Sequence, residues 1–135
     1  MKPPTIASAS ATIQAQGAPA GAGAAGGMAK GAGMLAPGLA TMLVVLTTDA
    51  VVPAESLQAA LREATRLSFD RADSDGCMST NDTVLLMSSG ASGEAPDPAA
   101  FQDALTAVCQ DLARQLIADA EGASHEIAIE VVGAA

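Results

Sequence analysis

Residues 41–48, TMLVVLTT, sit between a glycine-rich run and Pro53. A stretch this short is below ordinary helix length, and its Val and Thr residues favour a pleated backbone, so it reads as a strand. Its apolar residues do not alternate with polar ones, which is the pattern of a strand buried on both faces. The backbone before it is of the opposite kind: KGAGMLAPGLA, residues 30–40, is rich in glycine and looks flexible. Thr41 stands at the junction of the two.

Beyond this strand the chain alternates. Pro53 suits the first turn of a helix, and AESLQAALREATRLSF follows with Leu57, Ala60, Leu61, Ala64 and Phe69 at helical or near-helical spacing. DRADSDGCMSTND, residues 70–82, is dense in Asp, Ser, Asn and Gly and reads as a loop. Asp73, Asp75 and Gly76 partly resemble the start of a calcium loop. The pattern lacks the further oxygen ligands and the terminal bidentate Glu, so no metal is expected. TVLLMSS, residues 83–89, reads as a second strand. After a turn-rich link, Asp97 is a good N-cap and Pro98 a good first helical residue. Phe101, Leu105, Val108, Leu112 and Leu116 share one face of the helix that follows, which is expected to end at Glu121 and Gly122. HEIAIEVV, from His125, alternates as a third strand with Ile127, Ile129 and Val131 on one face. Strand, helix, strand, helix, strand is the pattern of an α/β or layered α+β domain.

Residues 1–27 are mostly Ala, Gly, Pro, Ser and Thr, with Ile6 and Ile13 as the only large aliphatic side chains. So little apolar surface does not offset the entropy of ordering, and the segment is expected to be irregular, with the folded domain at 28–135. Lys2 is not followed by an apolar run of signal-peptide length, and no later run is long enough to span a bilayer. The expectation is a cytoplasmic chain without a membrane partner. A formal charge of −9, with six Lys and Arg, argues against nucleic acid, whose phosphates require a basic patch. Cys77 and Cys109 form no CxxC pair and have no histidine at ligand spacing, so both read as ordinary thiols in a reducing compartment. His125, the one histidine, reads as a solvated strand-end residue and is a weak basis for a Ser-His-Asp site.

Chemistry is concentrated in the stretch opened by Lys30. A phosphate loop would place its glycines before the Lys and a helix after it, whereas here the Lys comes first and a strand last. A plain glycine turn leading into a strand is one reading, with Thr41 present because threonine suits strands. The other treats Thr41 as a latent nucleophile. A threonine hydroxyl is weak unless a base is at hand, and an N-terminal threonine carries one in its own α-amine, with a pKa near ~8. Exposing that amine means cutting the bond between Ala40 and Thr41. Small residues upstream would let the hydroxyl reach the preceding carbonyl.

KGAGMLAPGLATML followed by TTDA, a loop ending in STNDTVLL, and DAEGAS near the end together resemble the ornithine acetyltransferase family, the bifunctional glutamate N-acetyltransferases of arginine biosynthesis. The resemblance covers about residues 26–135. It implies self-cleavage at Ala40 and Thr41, with Thr41 as nucleophile and the two pieces remaining associated, as a heterotetramer in the full-length family. It also implies that Lys30 and Glu121, like Thr41, bind substrate. The reaction implied is ping-pong transfer of acetyl from N2-acetylornithine to glutamate, with no cofactor and no metal; some members take acetyl from acetyl-CoA instead. The fold implied is the layered arrangement shared with self-cleaving aminopeptidases of the DmpA type.

The family's oxyanion-hole Thr-Gly pair lies upstream of Met1, and its Asp-Pro-Asn-Trp-Gly-Arg segment lies downstream of Ala135. An internal fragment is therefore expected, impaired on its own because losing even one oxyanion donor costs ~10²–10³ in rate. Two other readings stand beside it. One is a self-cleaving peptidase; the other is an inactive fold remnant, or one piece of a split enzyme that acts only with a partner chain.

Overall fold

Val44 and Leu46 on one strand and Leu105, Val108 and Leu112 on one helix are almost wholly withdrawn from solvent, and the fold is organised around their contact. The protein is described as a computed structural model, which covers residues 7–13, 23–31, 42–73, 81–118, 124–125 and 127–133. The elements in order are β1 (Ala7–Ile13), β2 (Ala25–Gly31), β3 (Leu43–Thr48), α1 (Ala54–Arg66), a 3-10 turn (Phe69–Arg71), β4 (Thr83–Ser88) and α2 (Pro98–Ala118). The strands form one sheet in the order β1-β2-β3-β4. β1, β2 and β3 are antiparallel neighbours, while β4 runs parallel to β3, reached by the crossover through α1. That is a mixed α/β fold.

Register assigns the two faces. Ala29, Val44 and Val84 form one rung and Gly27, Leu46 and Leu86 the next; these residues point toward the helices. Met28, Val45 and Leu85 form a rung on the opposite face, where Met28 is 64% exposed and Leu85 48%. α2 lies over β1 and β2 and packs against α1, completing a helical layer on the inner face. Asp97 starts α2, its Oδ2 accepting the Ala100 N–H at 2.9 Å, as an N-cap should. α1 follows directly on Pro53, whose carbonyl accepts the Leu57 N–H at 2.9 Å. Among the described residues no helix is long and apolar enough to cross a membrane.

Three expectations need correction. The irregular stretch read from composition at 1–27 contains β1 and the start of β2. Composition measures how much side chain a segment can bury, but here ladder hydrogen bonds supply the order, and the smallness of the residues is what the packing uses. A Cβ added at Gly27 would stand 2.4 Å from Leu46 Cδ2, 2.9 Å from the Val45 carbonyl oxygen and 3.3 Å from Leu112 Cδ1. Glycine is thus the residue that lets β2 pass beneath the core leucines. Second, β3 is buried on one face only: Val44, Leu46 and Thr48 are buried, whereas Leu43 and Thr47 are exposed. No described layer covers the outer face, so an apolar run did not imply two-sided burial here. Third, the closing strand from His125 is not formed among the described residues of 124–133, and Ile127, Ile129, Val131 and Val132 are all exposed. Alternation supplies an apolar face, but a strand also needs a ladder partner, and this segment joins neither edge of the sheet.

Cys109 is fully buried on α2, and burial pushes its thiol up to about 11, against a smaller opposing effect of a hydrogen bond with Ser68. Cys77 lies outside the described residues. Because the folded thiol ionises later than an unfolded one, its contribution to stability is intact below the ordinary thiol pKa and fades as pH rises toward about 11. Cys109 should therefore resist iodoacetamide at pH 9 in the native protein and react once urea unfolds it, as read by peptide mass spectrometry. Gly27→Ala should lower stability by about 1–3 kcal/mol, seen as a reduced urea midpoint at unchanged m-value.

Candidate functional site

Alternation along β2 turns Ala29 into the core and leaves Lys30 exposed on the outer face. Lys30 has no ion-pair partner among the described residues. Across the sheet it pairs with Leu43, which pairs in turn with Thr83. The last rung that β2, β3 and β4 share at this end is therefore Lys30, Leu43 and Thr83, while β2 goes one residue further and pairs Gly31 with Ala7 of β1.

Met42 precedes that rung, and the segment before β4 holds it. Its N–H donates to Asp82 Oδ1 at 2.8 Å, and its carbonyl accepts the Thr83 N–H at 2.9 Å. The Met42 side chain packs against the core from its edge. The main chain on both sides of the Met42 α-carbon is thus fixed by residues 82–83. Thr41 is joined directly to it, and two residues of chain reach at most ~7 Å from Leu43.

The third segment arrives from α2. A Cβ at Gly31 would lie 3.4 Å from Leu116 Cδ2, so the last turns of α2 run past the end of β2. The helix ends at Ala118, three residues before Glu121. Ala40, Thr41 and Glu121 themselves lie outside the described residues; Lys30 is the one sequence-predicted site residue that is described. What the fold brings to one end of the sheet is Lys30, the residue that follows Thr41, and the helix end that leads to Glu121.

Asp82 is the functional candidate that sequence reasoning passed over, having treated it as part of a polar loop. The available signal was an Asp one residue before a strand start, a position where its short carboxylate can accept a backbone N–H that the ladder leaves over. His125 is exposed, with Nδ1 at 2.9 Å from Ser124 Oγ. Among the described residues no group of three His, Cys, Asp or Glu is placed to hold a metal ion. An open cavity of about 780 Å³ lies at the far end of β3 and is lined by Gly26, Met28, Thr47, Asp49, Met87 and Ser88 among others. Its lining has a carboxylate but no basic group, and it does not include Lys30 or Met42.

Comparison with known proteins places this geometry among relatives. The model of the ArgJ family matches residues 6–135. Arginine biosynthesis bifunctional protein ArgJ of Thermobifida fusca is 72% identical over 110 residues, which is 82% of this chain and 29% of that protein. The protein of the same name from Streptomyces coelicolor is 70% identical over the same length and shares. The crystal structure of ArgJ from Bacillus halodurans superposes with a TM-score of 0.55 at 40% identity, over 62% of this chain and 41% of that one. The chain thus spans less than a third of the length of these curated relatives. Since Lys30 is exposed and outside the core, Lys30→Met should shift the urea unfolding free energy by no more than about 0.5 kcal/mol. A larger loss would mean that Lys30 holds the sheet end together instead of being available to a ligand.

Proposed function

The chain belongs to the ArgJ family, and on that premise we propose that it carries the nucleophile segment of an N-acetyltransferase of arginine biosynthesis, with Thr41 as the attacking group. The observation that carries this reading is that Lys30, the clamped residue after Thr41 and the α2 segment leading to Glu121 all lie at one end of the sheet, Lys30 on its outer face and α2 on its inner one. Those are the segments holding the three substrate-site residues that the motifs imply, drawn from positions far apart in sequence.

The chemistry has two stages. In the first, Thr41 Oγ attacks the Ala40 carbonyl carbon; the carbon–oxygen bond forms, the carbon–nitrogen bond breaks, and the hydroxyl proton passes to the departing amine. Water then opens the ester, leaving a carboxylate at Ala40 and a free hydroxyl and α-amine at Thr41. In the second stage the α-amine takes the hydroxyl proton while Oγ attacks the acetyl carbonyl of N2-acetylornithine. Ornithine leaves with that proton, and the amine of glutamate attacks the acetyl ester, regenerating Thr41. Acetyl-CoA is the alternative donor in the same first half-reaction. No cofactor is needed, because every step is acyl transfer among oxygen, nitrogen and, where acetyl-CoA is the donor, sulfur.

Lys30 and Glu121 suit an amino-acid substrate. A cation pairs with its α-carboxylate and an anion with its amine, so the two together fix its orientation before attack. The reaction takes place on small, water-soluble metabolites, and the reading includes cleaved pieces that stay associated. Their association is physically reasonable: cutting before Thr41 separates β2 from β3, yet the ladder between these strands and the shared core under α2 remains. A chain that acts only together with a partner polypeptide is the second reading, favoured by the uncovered outer face of the sheet at Met28, Leu85 and Met87.

Mass spectrometry of the purified chain tests the proposal. Two species are expected, one ending at Ala40 and one starting at Thr41. Thr41→Ala should give a single intact chain, and Thr41→Ser, which keeps a hydroxyl, should still yield both pieces. Appearance of the same pieces from Thr41→Ala would remove Thr41 from the mechanism.

A further inference from the structure

At Met42, one residue before the first rung of β3, the backbone N–H depends on a single side chain. Its carbonyl belongs to the β3–β4 ladder through the Thr83 N–H, but its N–H leaves the ladder and is taken by the Asp82 carboxylate at 2.8 Å. The pairing of β2 with β3 ends at Lys30 and Leu43, one residue short of Met42. We propose that Asp82 is a positioning residue, whose carboxylate pins the Met42 N–H and so sets the backbone to which the nucleophile Thr41 is joined. This inference rests on the Thr41 reading above.

The contact bears on residue 41 both before and after cleavage. Before cleavage, the peptide linking Thr41 to Met42 sets how the hydroxyl is presented to the Ala40 carbonyl it attacks, so the contact bears on the cut itself. After it, Thr41 is the first residue of a new chain, and chain ends fray unless something ties them down. The nearest tie is at Met42, one residue away. A hydrogen bond to an ionised carboxylate is stronger than one to a neutral acceptor, and 2.8 Å is within the range for such bonds. It also acts at the N–H, the group that belongs to the peptide linking Met42 to Thr41. Orientation of that peptide plane therefore follows from the Asp82 contact. A misplacement of about 1 Å in a reacting group can cost ~10² in rate, so a tie of this kind has catalytic weight without touching the substrate.

The order of residues agrees with that role. Asp82 immediately precedes Thr83, whose N–H holds the Met42 carbonyl, so one short segment fixes both ends of the same residue. Parallel pairing of β3 with β4 then carries this alignment into the core through Val44 and Val84. The clamp is consequently referred to the packed core of the fold.

The test compares the full chain with Asp82→Ala and Asp82→Asn, following self-cleavage by mass spectrometry and amide exchange by nuclear magnetic resonance. Asp82→Ala should slow cleavage by about 10²-fold and raise the exchange rate of the Met42 amide by about tenfold. Asp82→Asn, which retains a carbonyl oxygen at the same reach, should stay within a few-fold of the starting chain in both. Exchange at Leu105 and Leu112 should be the same in all three, showing an intact core. Equal cleavage in Asp82→Ala and the unaltered chain, an unchanged Met42 amide, or an Asn variant as slow as Ala would each overturn the positioning role. If the unaltered chain is never cleaved, the self-cleavage reading fails instead, and the Met42 exchange rates alone then decide whether Asp82 pins this backbone.

Discussion

Everything in this fold depends on how closely α2 can approach the sheet. The inward residues of β2 are Ala25, Gly27, Ala29 and Gly31, so the strand presents nothing larger than a methyl group where the helix crosses it. That space is filled by Leu46 from the neighbouring strand and by Leu112 from α2, both almost fully buried. Packing at crystal-like density makes such a fit intolerant of added atoms, and the close approach that a Cβ at Gly27 would make to a backbone oxygen is its local expression. Segregation of bulk follows from it: large side chains on β3 and α2, small ones on β2.

Once α2 is seated, the sheet has one covered and one open face, and the two ends of β3 acquire different surroundings. At its far end Thr48 is buried, and its Oγ1 accepts the Ala50 N–H at 3.2 Å. At its near end the antiparallel partner stops at Lys30, while the parallel partner contributes Asp82 and Thr83. A strand start with a parallel neighbour on one side and a finishing strand on the other is a place where backbone groups are left for side chains to satisfy. It is also where a free chain end could be held at a fixed height above the core. The proposed nucleophile is adjacent to this position.

Much of the fold was legible in the sequence. Leu57, Leu61, Leu105, Val108 and Leu112 announce two helices because 3.6-residue periodicity survives any tertiary context, and Asp97 with Pro98 marks a start that the structure keeps. The strands at 43–48 and 83–88 follow from β-branched and apolar runs of the right length. β1 was missed although ASASATI alternates apolar and polar residues at period 2, because its apolar positions are mostly alanine and a composition argument discounts so little apolar surface; its order comes from pairing with β2. The segment after His125 erred in the other direction: its alternation is plain, but no described edge accepts it. Lys30 was singled out through its motif; Asp82, although part of the STNDTVLL motif, was given no role, since its contact with Met42 follows only once the strand it faces is known.

Residue types along the chain determined by themselves where the helices lie, that 43–48 and 83–88 are extended, and to which family the motifs belong, because these depend on local periodicity, backbone preference and characteristic motifs. Tertiary structure alone decided that glycine and alanine in β2 serve close packing, that β3 is covered on one side only, and that Asp82 reaches Met42. Each of these depends on contacts between segments distant in sequence, and such contacts are set by which strands pair and in what register, which no local pattern encodes.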